Sequence, residues 1–431
     1  MVGMEKKYNM KIAMLSIHSC PIGELGTKDT GGMSVYIRET AKELGQTGNH
    51  VDIYTRNHGL KHDEIVRLSE NVRLIHIKGG DDSDMSKLAV YPHVNDFAAT
   101  LEEIRFKEKI HYDIIHSHYW LSGLIGRLAQ NWCDVPHIIM FHTLGLIKNN
   151  LNIGRPEPDF RICNEKAIVH TCDKIIAATA REKQDLIQLY KAASEKIGVI
   201  PCGVNTNLFH PIDKKNARKH LGYDMDENII LYVGRVEPLK GIDRLLKSVS
   251  CLKDRMPIKL IIVGGDDRDQ PEMQEIINLA MTLKIIDSVD FAGRVIQDDL
   301  PLYYNAADAL VVSSLYESFG LVALEALSCG TPVVSTAVGG MKTIIRERET
   351  GLLVSGDTVE SMGKCIYDII SNRKKYQANS ISIRNSILRL SWSNIANLLI
   401  EEYSSSIKEY CRSGRINKLE EDFDLKRASC G

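Results

Sequence analysis

Two glutamates, Glu317 and Glu325, stand eight positions apart in the stretch Tyr316-Glu317-Ser318-Phe319-Gly320-Leu321-Val322-Ala323-Leu324-Glu325-Ala326. Eight residues of helix advance about 12 Å in a little over two turns, so both carboxylates are expected on one side, the first at the helix mouth and the second deeper along it. The apolar run Ala309-Leu310-Val311-Val312 just upstream reads as a buried parallel strand. A helix that opens at the carboxyl end of such a strand is an anion site, and Gly320 allows close backbone approach there. A second stretch, Val233-Gly234-Arg235-Val236-Glu237-Pro238-Leu239-Lys240-Gly241, puts Arg235 and Lys240 on one strand-to-helix loop. A guanidinium can hold two phosphate oxygens at once and an ammonium adds a point charge, so the pair suits a diphosphate. Gly31-Gly32 opens another helix, where backbone N–H groups can approach a phosphate. His142 follows the apolar run His137-Ile138-Ile139-Met140-Phe141 and stands at a strand end. Spacing alone leaves the alternative open that these are helix-surface glutamates, solvated loop cations and a polar strand rim.

The elements that must position them alternate between strand and helix. Lys11–His18 reads as a first buried strand, followed by a loop over 19–30 and a helix to about Leu44. Strands are expected at Val51–Thr55, Val72–Ile77, Asp113–His118, His137–Phe141, Lys174–Ala178 and Ile197–Ile200, with helices near 95–109 and 122–130 between them. Residues 203–225, rich in Asn, Pro, Asp and Lys, read as a linker with a short helix. The rhythm then restarts at Ile229–Val233, with later strands at Lys259–Val263, Val289–Phe291, Ala309–Val312, Val333–Ser335 and Gly351–Val354. This predicts an α/β chain of two Rossmann-like, doubly wound parallel-sheet domains, 10–203 and 204–391, with ligand between the carboxyl ends of their sheets. The charged tail 412–431 is expected to be disordered.

Bulk properties exclude several classes. With 431 residues, 44% hydrophobic and 26% charged, the chain is an ordinary globular mix of about two domains. A net charge of −2 gives no electrostatic reason to bind nucleic acid. Ten cysteines without a C-x-x-C pair argue against zinc ribbons and disulfide scaffolds and for a reducing cytoplasm. Neither a signal peptide nor a membrane-length apolar run is evident. The dinucleotide fingerprint G-x-G-x-x-G is absent from the glycine turn. Asp82-Ser83-Asp84 and Asp267-Arg268-Asp269 match an Asp-x-Asp metal motif but lie in acidic loops and read as solvated turns, so no metal site is expected from them.

The string Glu317-Ser318-Phe319-Gly320, Glu325-Ala326, Gly330-Thr331-Pro332-Val333-Val334, Gly339-Gly340 resembles the E-x7-E signature of the retaining glycosyltransferases of family 4, which have the GT-B fold. The glycine string Thr30-Gly31-Gly32-Met33-Ser34-Val35-Tyr36-Ile37 and the V-G-R-x-x-x-x-K-G string resemble that family's glycine loop and pyrophosphate clamp. The resemblance, which covers roughly residues 10–405, implies a sugar transferred from a nucleotide-sugar donor, UDP-N-acetylglucosamine or UDP-glucose, with no cofactor required. It implies donor contacts from Gly31, Gly32, Arg235, Lys240, Glu317, Phe319, Gly320 and Glu325, and catalytic roles for His142, Glu317, Arg235 and Lys240. It also implies a C-terminal helix, about 392–410, that crosses back onto the first domain. The resemblance also leaves room for a structural Mg2+ near Tyr304, Asn305, Ala307 and Thr331, on which no site is staked.

On the acceptor side, His18-Ser19, His116-Ser117-His118-Tyr119-Trp120-Leu121-Ser122-Gly123 and Pro156-Glu157 with Arg161-Ile162-Cys163 resemble one subgroup, the inositol-phosphate N-acetylglucosaminyltransferases of mycothiol synthesis. Sucrose-phosphate synthases are near relatives. Carried over by position, the acceptor's phosphate falls to Lys87, Tyr119, Thr143 and Arg161, with His18 and Ser34 toward its ring; Ser34 stands where that subgroup typically has asparagine. The expected partners are therefore a nucleotide-sugar and a phosphorylated polyol or sugar, with a homodimer and peripheral membrane contact left open. The alternatives are a sucrose-phosphate synthase, a glycan- or lipid-building transferase of the same family, a UDP-sugar 2-epimerase and a noncatalytic nucleotide-sugar binder.

Overall fold

The structure, a computed structural model, describes residues 9–26, 30–57, 64–80, 85–153, 155–265, 270–356 and 358–413. Asp29, both Asp-x-Asp loops and the tail from 414 onward lie outside the described residues.

The first sheet has eight strands: β1 (Lys11–Leu15), β2 (His50–Arg56), β3 (Ile65–Ser69), β4 (Val72–Ile77), β5 (Ile114–His118), β6 (His137–Met140), β7 (Lys174–Ala177) and β8 (Ile197–Val199). Their order is β3-β4-β2-β1-β5-β6-β7-β8. All neighbours are parallel except β3 and β4. Alternate residues of one strand join different cores: Ile12 and Met14 pack in one cluster, Ala13 and Leu15 in the other. A strand buried on both faces needs an apolar residue at every position, which is why these runs carry no alternation. Strand β3 was not expected. It is a short, half-exposed edge strand with a register irregularity against β4, and an edge strand can carry Arg67 and Ser69 without burying them.

The second sheet has six strands: β9 (Ile229–Val233), β10 (Lys259–Val263), β11 (Val289–Gly293), β12 (Ala309–Val312), β13 (Val333–Thr336) and β14 (Gly351–Val354). Their order is β11-β10-β9-β12-β13-β14, all parallel. The expected linker over 203–225 is only partly a linker. Its helix Lys214–Leu221 packs on the helix Leu300–Ala306, because the fully buried Arg218 donates to Asp308 Oδ2 at 3.0 Å and to the Ala306 carbonyl at 2.9 Å.

The chain crosses between the two halves twice, side by side. The Val204 amide donates to the Leu390 carbonyl at 2.9 Å, and the Trp392 amide donates back to the Val204 carbonyl at 3.3 Å. The helix Trp392–Arg412 then lies on the first half. Trp392 meets Tyr36 edge to face at 5.5 Å, Tyr403 bonds His116 Nδ1 at 2.6 Å, and Lys174 pairs with Glu402 at 3.3 Å.

In each sheet the strand order reverses beside the first strand in sequence. β1 lies between β2 and β5, and β9 lies between β10 and β12. A crevice opens at the carboxyl ends of strands at such a reversal. The glycine turn follows β1, His118 ends β5, Arg235 follows β9 and Glu317 follows β12.

Candidate active site

The loops after β9 and β12 are laced together. The Leu315 amide donates to the Leu239 carbonyl at 2.8 Å, and Ser313 Oγ donates to the Lys240 carbonyl at 2.8 Å. Gly241 takes φ +63°, and a Cβ there would stand 2.3 Å from the Ser313 carbonyl oxygen, so only glycine lets the loops meet. This lacing brings Lys240 Nζ to 2.6 Å from Glu317 Oε1, which also accepts from Ser314 Oγ at 2.7 Å. Arg235 Nη2 lies 3.1 Å from Glu237 Oε1. Arg235 and Lys240 are half-buried on the expected loop, each with a carboxylate partner.

Glu317 precedes the helix, which runs only from Leu321 to Ser328, so the two glutamates are not stacked along two turns as their spacing predicts. The reason is Gly320, whose φ of +109° begins the helix three residues after Glu317. Glu325 is buried and accepts from Tyr304 Oη at 2.6 Å. Burial pushes its carboxyl up to about 7; the Tyr304 hydroxyl offsets part of that rise, and Glu39 of the first half adds to it. The Phe319 ring is buried in the core, so this residue can reach a ligand only through its backbone.

Gly31 and Gly32 start the helix Gly32–Gln46, and a Cβ on Gly32 would lie 3.4 Å from Leu321 Cδ1. Two helix N-termini, one from each half, therefore face each other across the crevice. Neither Gly31 nor Gly320 has a side chain to cap its helix, which leaves first-turn N–H groups for an anion. Glu24 and Arg294 bridge the halves at 3.1 Å, and Arg38 bonds Gln297 nearby.

On the first half, His142 ends the β6 strand region with φ +59°, and the Thr143 amide donates to the Phe141 carbonyl across it at 2.7 Å. Tyr119, just after β5, has φ +73°. Two non-glycine residues in left-handed backbone at adjacent strand ends are the kind of local strain that a surrounding structure holds at functional sites. His142 Nε2 lies 3.0 Å from His118 Nδ1. Burial holds the imidazoles of His118 and His142 below the usual range, His142 down to about 3, so both are neutral at pH 7.

Around Tyr119 the structure gathers most of the expected acceptor residues. The His18 ring packs at a tilt against the Tyr119 ring, centroids 4.3 Å apart, and the Arg161 guanidinium lies 4.9 Å from the Tyr119 centroid. Arg161 Nη2 reaches Thr143 Oγ1 at 3.2 Å. Ser34 is fully buried and its hydroxyl meets Ser19 Oγ at 2.6 Å, so it braces the loop after β1. Lys87 starts a short 3-10 turn and is half-buried. The expectation of two cations and two hydroxyls in this cluster needs a correction. Arg161 is fully buried between Glu157, at 2.8 Å, and Glu165, at 2.7 Å, and Lys148 also bonds Glu157. Glu165 accepts further from the Gly145 amide at 3.0 Å and from Tyr190 Oη at 2.5 Å. The cluster is a charge-balanced network, and a phosphate must compete with Glu157 for the guanidinium. Burial alone would raise the Glu157 carboxyl, but Arg161 and Lys148 more than offset it and hold it below the usual range.

The residues named for a structural Mg2+ do not fit one. The Ala307 carbonyl accepts from Lys214 Nζ at 2.9 Å, so an ammonium occupies the position of a cation, and the Tyr304 carbonyl accepts from Thr331 Oγ1 at 2.7 Å. Among the described residues no group of three or more His, Cys, Asp or Glu could hold a metal, and no helix is long and apolar enough to cross a membrane. Sequence reasoning passed over Glu165, Ser314 and His118 as site residues and named Tyr304 only beside a metal. Ser314 and Glu165 stand three and four positions from Glu317 and Arg161, a spacing that could have found them, whereas Tyr304 and His118 meet partners 21 and 24 positions away.

Residues 30–208 match the family described as Glycosyltransferase Family 4, and residues 213–385 match Glycosyl transferases group 1. The chain is 36% identical over 410 residues to a D-inositol 3-phosphate glycosyltransferase from Geodermatophilus obscurus, covering 93% of this chain and 90% of that one. It is 38% identical over 355 residues to the protein of that name from Actinosynnema mirum, covering 80% and 85%. Among solved structures, the sucrose-phosphate synthase of Thermosynechococcus elongatus superposes with a TM-score of 0.85 at 30% identity, covering 92% of this chain and 98% of that one.

Proposed function

This chain belongs to glycosyltransferase family 4 with the GT-B fold, and on that premise we propose that it moves a sugar from a UDP-sugar to an inositol phosphate, with retention at the sugar carbon. The observation that carries the acceptor is the cluster at Arg161, where a buried guanidinium, the Thr143 hydroxyl and the Tyr119 and His18 rings converge, in a chain whose curated relatives act on inositol 3-phosphate. On this reading Arg235 and Lys240 receive the diphosphate, with Glu317 holding Lys240 in place. The opposed glycine helix starts supply backbone N–H groups to the same phosphates, and Glu325 takes the ribose end. His142 lies beside the reacting sugar as a neutral ring. The leaving phosphate itself takes the acceptor's proton. No cofactor beyond the donor is needed, and the reaction belongs in the cytoplasm.

The test crosses UDP-N-acetylglucosamine, UDP-glucose and GDP-mannose with inositol phosphate, fructose 6-phosphate and glucose 6-phosphate, read by nucleotide release and product mass. Free inositol and a no-acceptor arm complete it. Turnover with inositol phosphate, and a loss of about a hundredfold or more in kcat/KM without its phosphate, is expected. Equal turnover of free inositol would sink the phosphate pocket, and sugar isomerisation without acceptor would point to an epimerase. One second reading has its own support: the close superposition on a sucrose-phosphate synthase favours fructose 6-phosphate as the competing acceptor.

A further inference from the structure

We propose that His118 is a positioning residue for His142: its Nδ1–H donates to His142 Nε2 and so fixes His142 as the tautomer with its proton on Nδ1. The two nitrogens are 3.0 Å apart, so one ring must donate and the other accept. Each neutral imidazole carries one proton, which leaves two arrangements. If His142 donated from Nε2, His118 would have to carry its proton on Nε2. That atom is fully buried and has no hydrogen-bond partner among the described residues. An orphaned buried N–H is among the rarest features of native proteins, whereas a bare acceptor nitrogen is tolerated better. The proton therefore belongs on His118 Nδ1, which points at His142.

The rings around the pair hold this arrangement. His116 packs at a tilt against His118, centroids 4.3 Å apart, and is itself fixed by Tyr403 Oη at 2.6 Å from Nδ1, while Tyr36 stands edge-on to both His118 and His142. His118 cannot turn its ring over without bringing a carbon against His142. The His142 tautomer is thereby set from behind. Its Nδ1–H is left as the donor of a half-buried ring at the carboxyl end of the strand region, and its Nε2 lone pair is occupied. A histidine so held donates a hydrogen bond and does not accept a proton. This agrees with the proposed transfer, in which the proton leaves by way of the departing phosphate. The tautomer stands on geometry alone; its effect on turnover rests on the transferase reading.

The test begins with the wild-type protein carrying 15N-labelled histidine, free of substrate, with the His142 ring signals assigned by their loss in His142→Asn. The expected spectrum at pH 7 has Nδ1 protonated and Nε2 bare; the reverse overturns the proposal. Two variants follow. The amide nitrogen in His118→Asn stands near the Nδ1 position and can still donate, whereas His118→Leu cannot. Expected is a kcat within about threefold of wild type for the asparagine variant and at least about tenfold lower for the leucine variant, with donor KM little changed in both. Equal kcat in the two variants removes the positioning role. If His118→Leu does not fold, the wild-type spectrum still decides the tautomer. If the wild type turns over no UDP-sugar, the transferase reading fails while the ring spectrum keeps its meaning.

Discussion

Replacing Arg161 by alanine should damage the fold and the acceptor site by separable amounts. The side chain is 1% exposed, with carboxylate oxygens at 2.7 Å and 2.8 Å. Removing one partner of a buried ion pair costs about 3–5 kcal/mol, because the charge left behind is uncompensated. Here Glu157 keeps Lys148, and Glu165 keeps the Gly145 amide and the Tyr190 hydroxyl, so the lower end, about 3 kcal/mol, is expected at pH 7. Adding Glu165→Gln should restore part of the loss, since an amide needs no counter-ion. Urea denaturation of the four proteins of this cycle measures these terms. A deficit under about 1 kcal/mol would mean that Arg161 is not the compensating charge of a buried network. Among variants still folded, loss of the preference for phosphorylated over free inositol reports on the acceptor separately.

Lys240→Ala or Arg235→Ala should lower kcat by about a hundredfold or more, the range for losing a preorganised charged stabiliser, with UDP affinity falling as well; full activity in either would remove the leaving-group role. Gly241→Ala should destabilise by about 2 kcal/mol or more in thermal or urea unfolding, because the new methyl meets a backbone carbonyl that cannot yield. Acid should destabilise the chain from about pH 6.5 downward. Burial holds His116 and His137 down to about 3 in the fold, while the unfolded chain takes up those protons near 6.5. The unfolded state binds more protons between those values, so stability falls with pH there, by about 2 kcal/mol per histidine at pH 5. Glu182 and Glu325, whose carboxyls burial pushes up to about 7, gain stability over the same range, so the test compares wild type with His116→Gln and His137→Gln: a variant whose pH dependence matches that of wild type shows that its ring is not buried neutral.

The repeated βα rhythm was legible because strands covered on both faces leave unbroken apolar runs, and the glycines stood out because turns and close approaches demand them. Ile65–Ser69 was not, since an edge strand shows half its residues to water and looks like loop. The geometry of Glu317 was misjudged because spacing does not say where Gly320 begins the helix. The pairing of His118 with His142 was hidden for another reason. The two arrive from different strand ends, and only the strand order brings them together, just as only the returning last helix brings Tyr403 to His116 across 287 positions.

The return of the last helix to the first half has a consequence for how the molecule is made. On the ribosome the first half emerges without Trp392 and Tyr403, and it must wait for the whole second half before Tyr36 and His116 gain their neighbours. Until then the His116 ring, which packs against His118, lacks the Tyr403 hydroxyl. A chain that stops short of residue 392 would carry every cleft residue named above, yet lack the support that orders the histidines, so full-length synthesis is itself a condition for an ordered site.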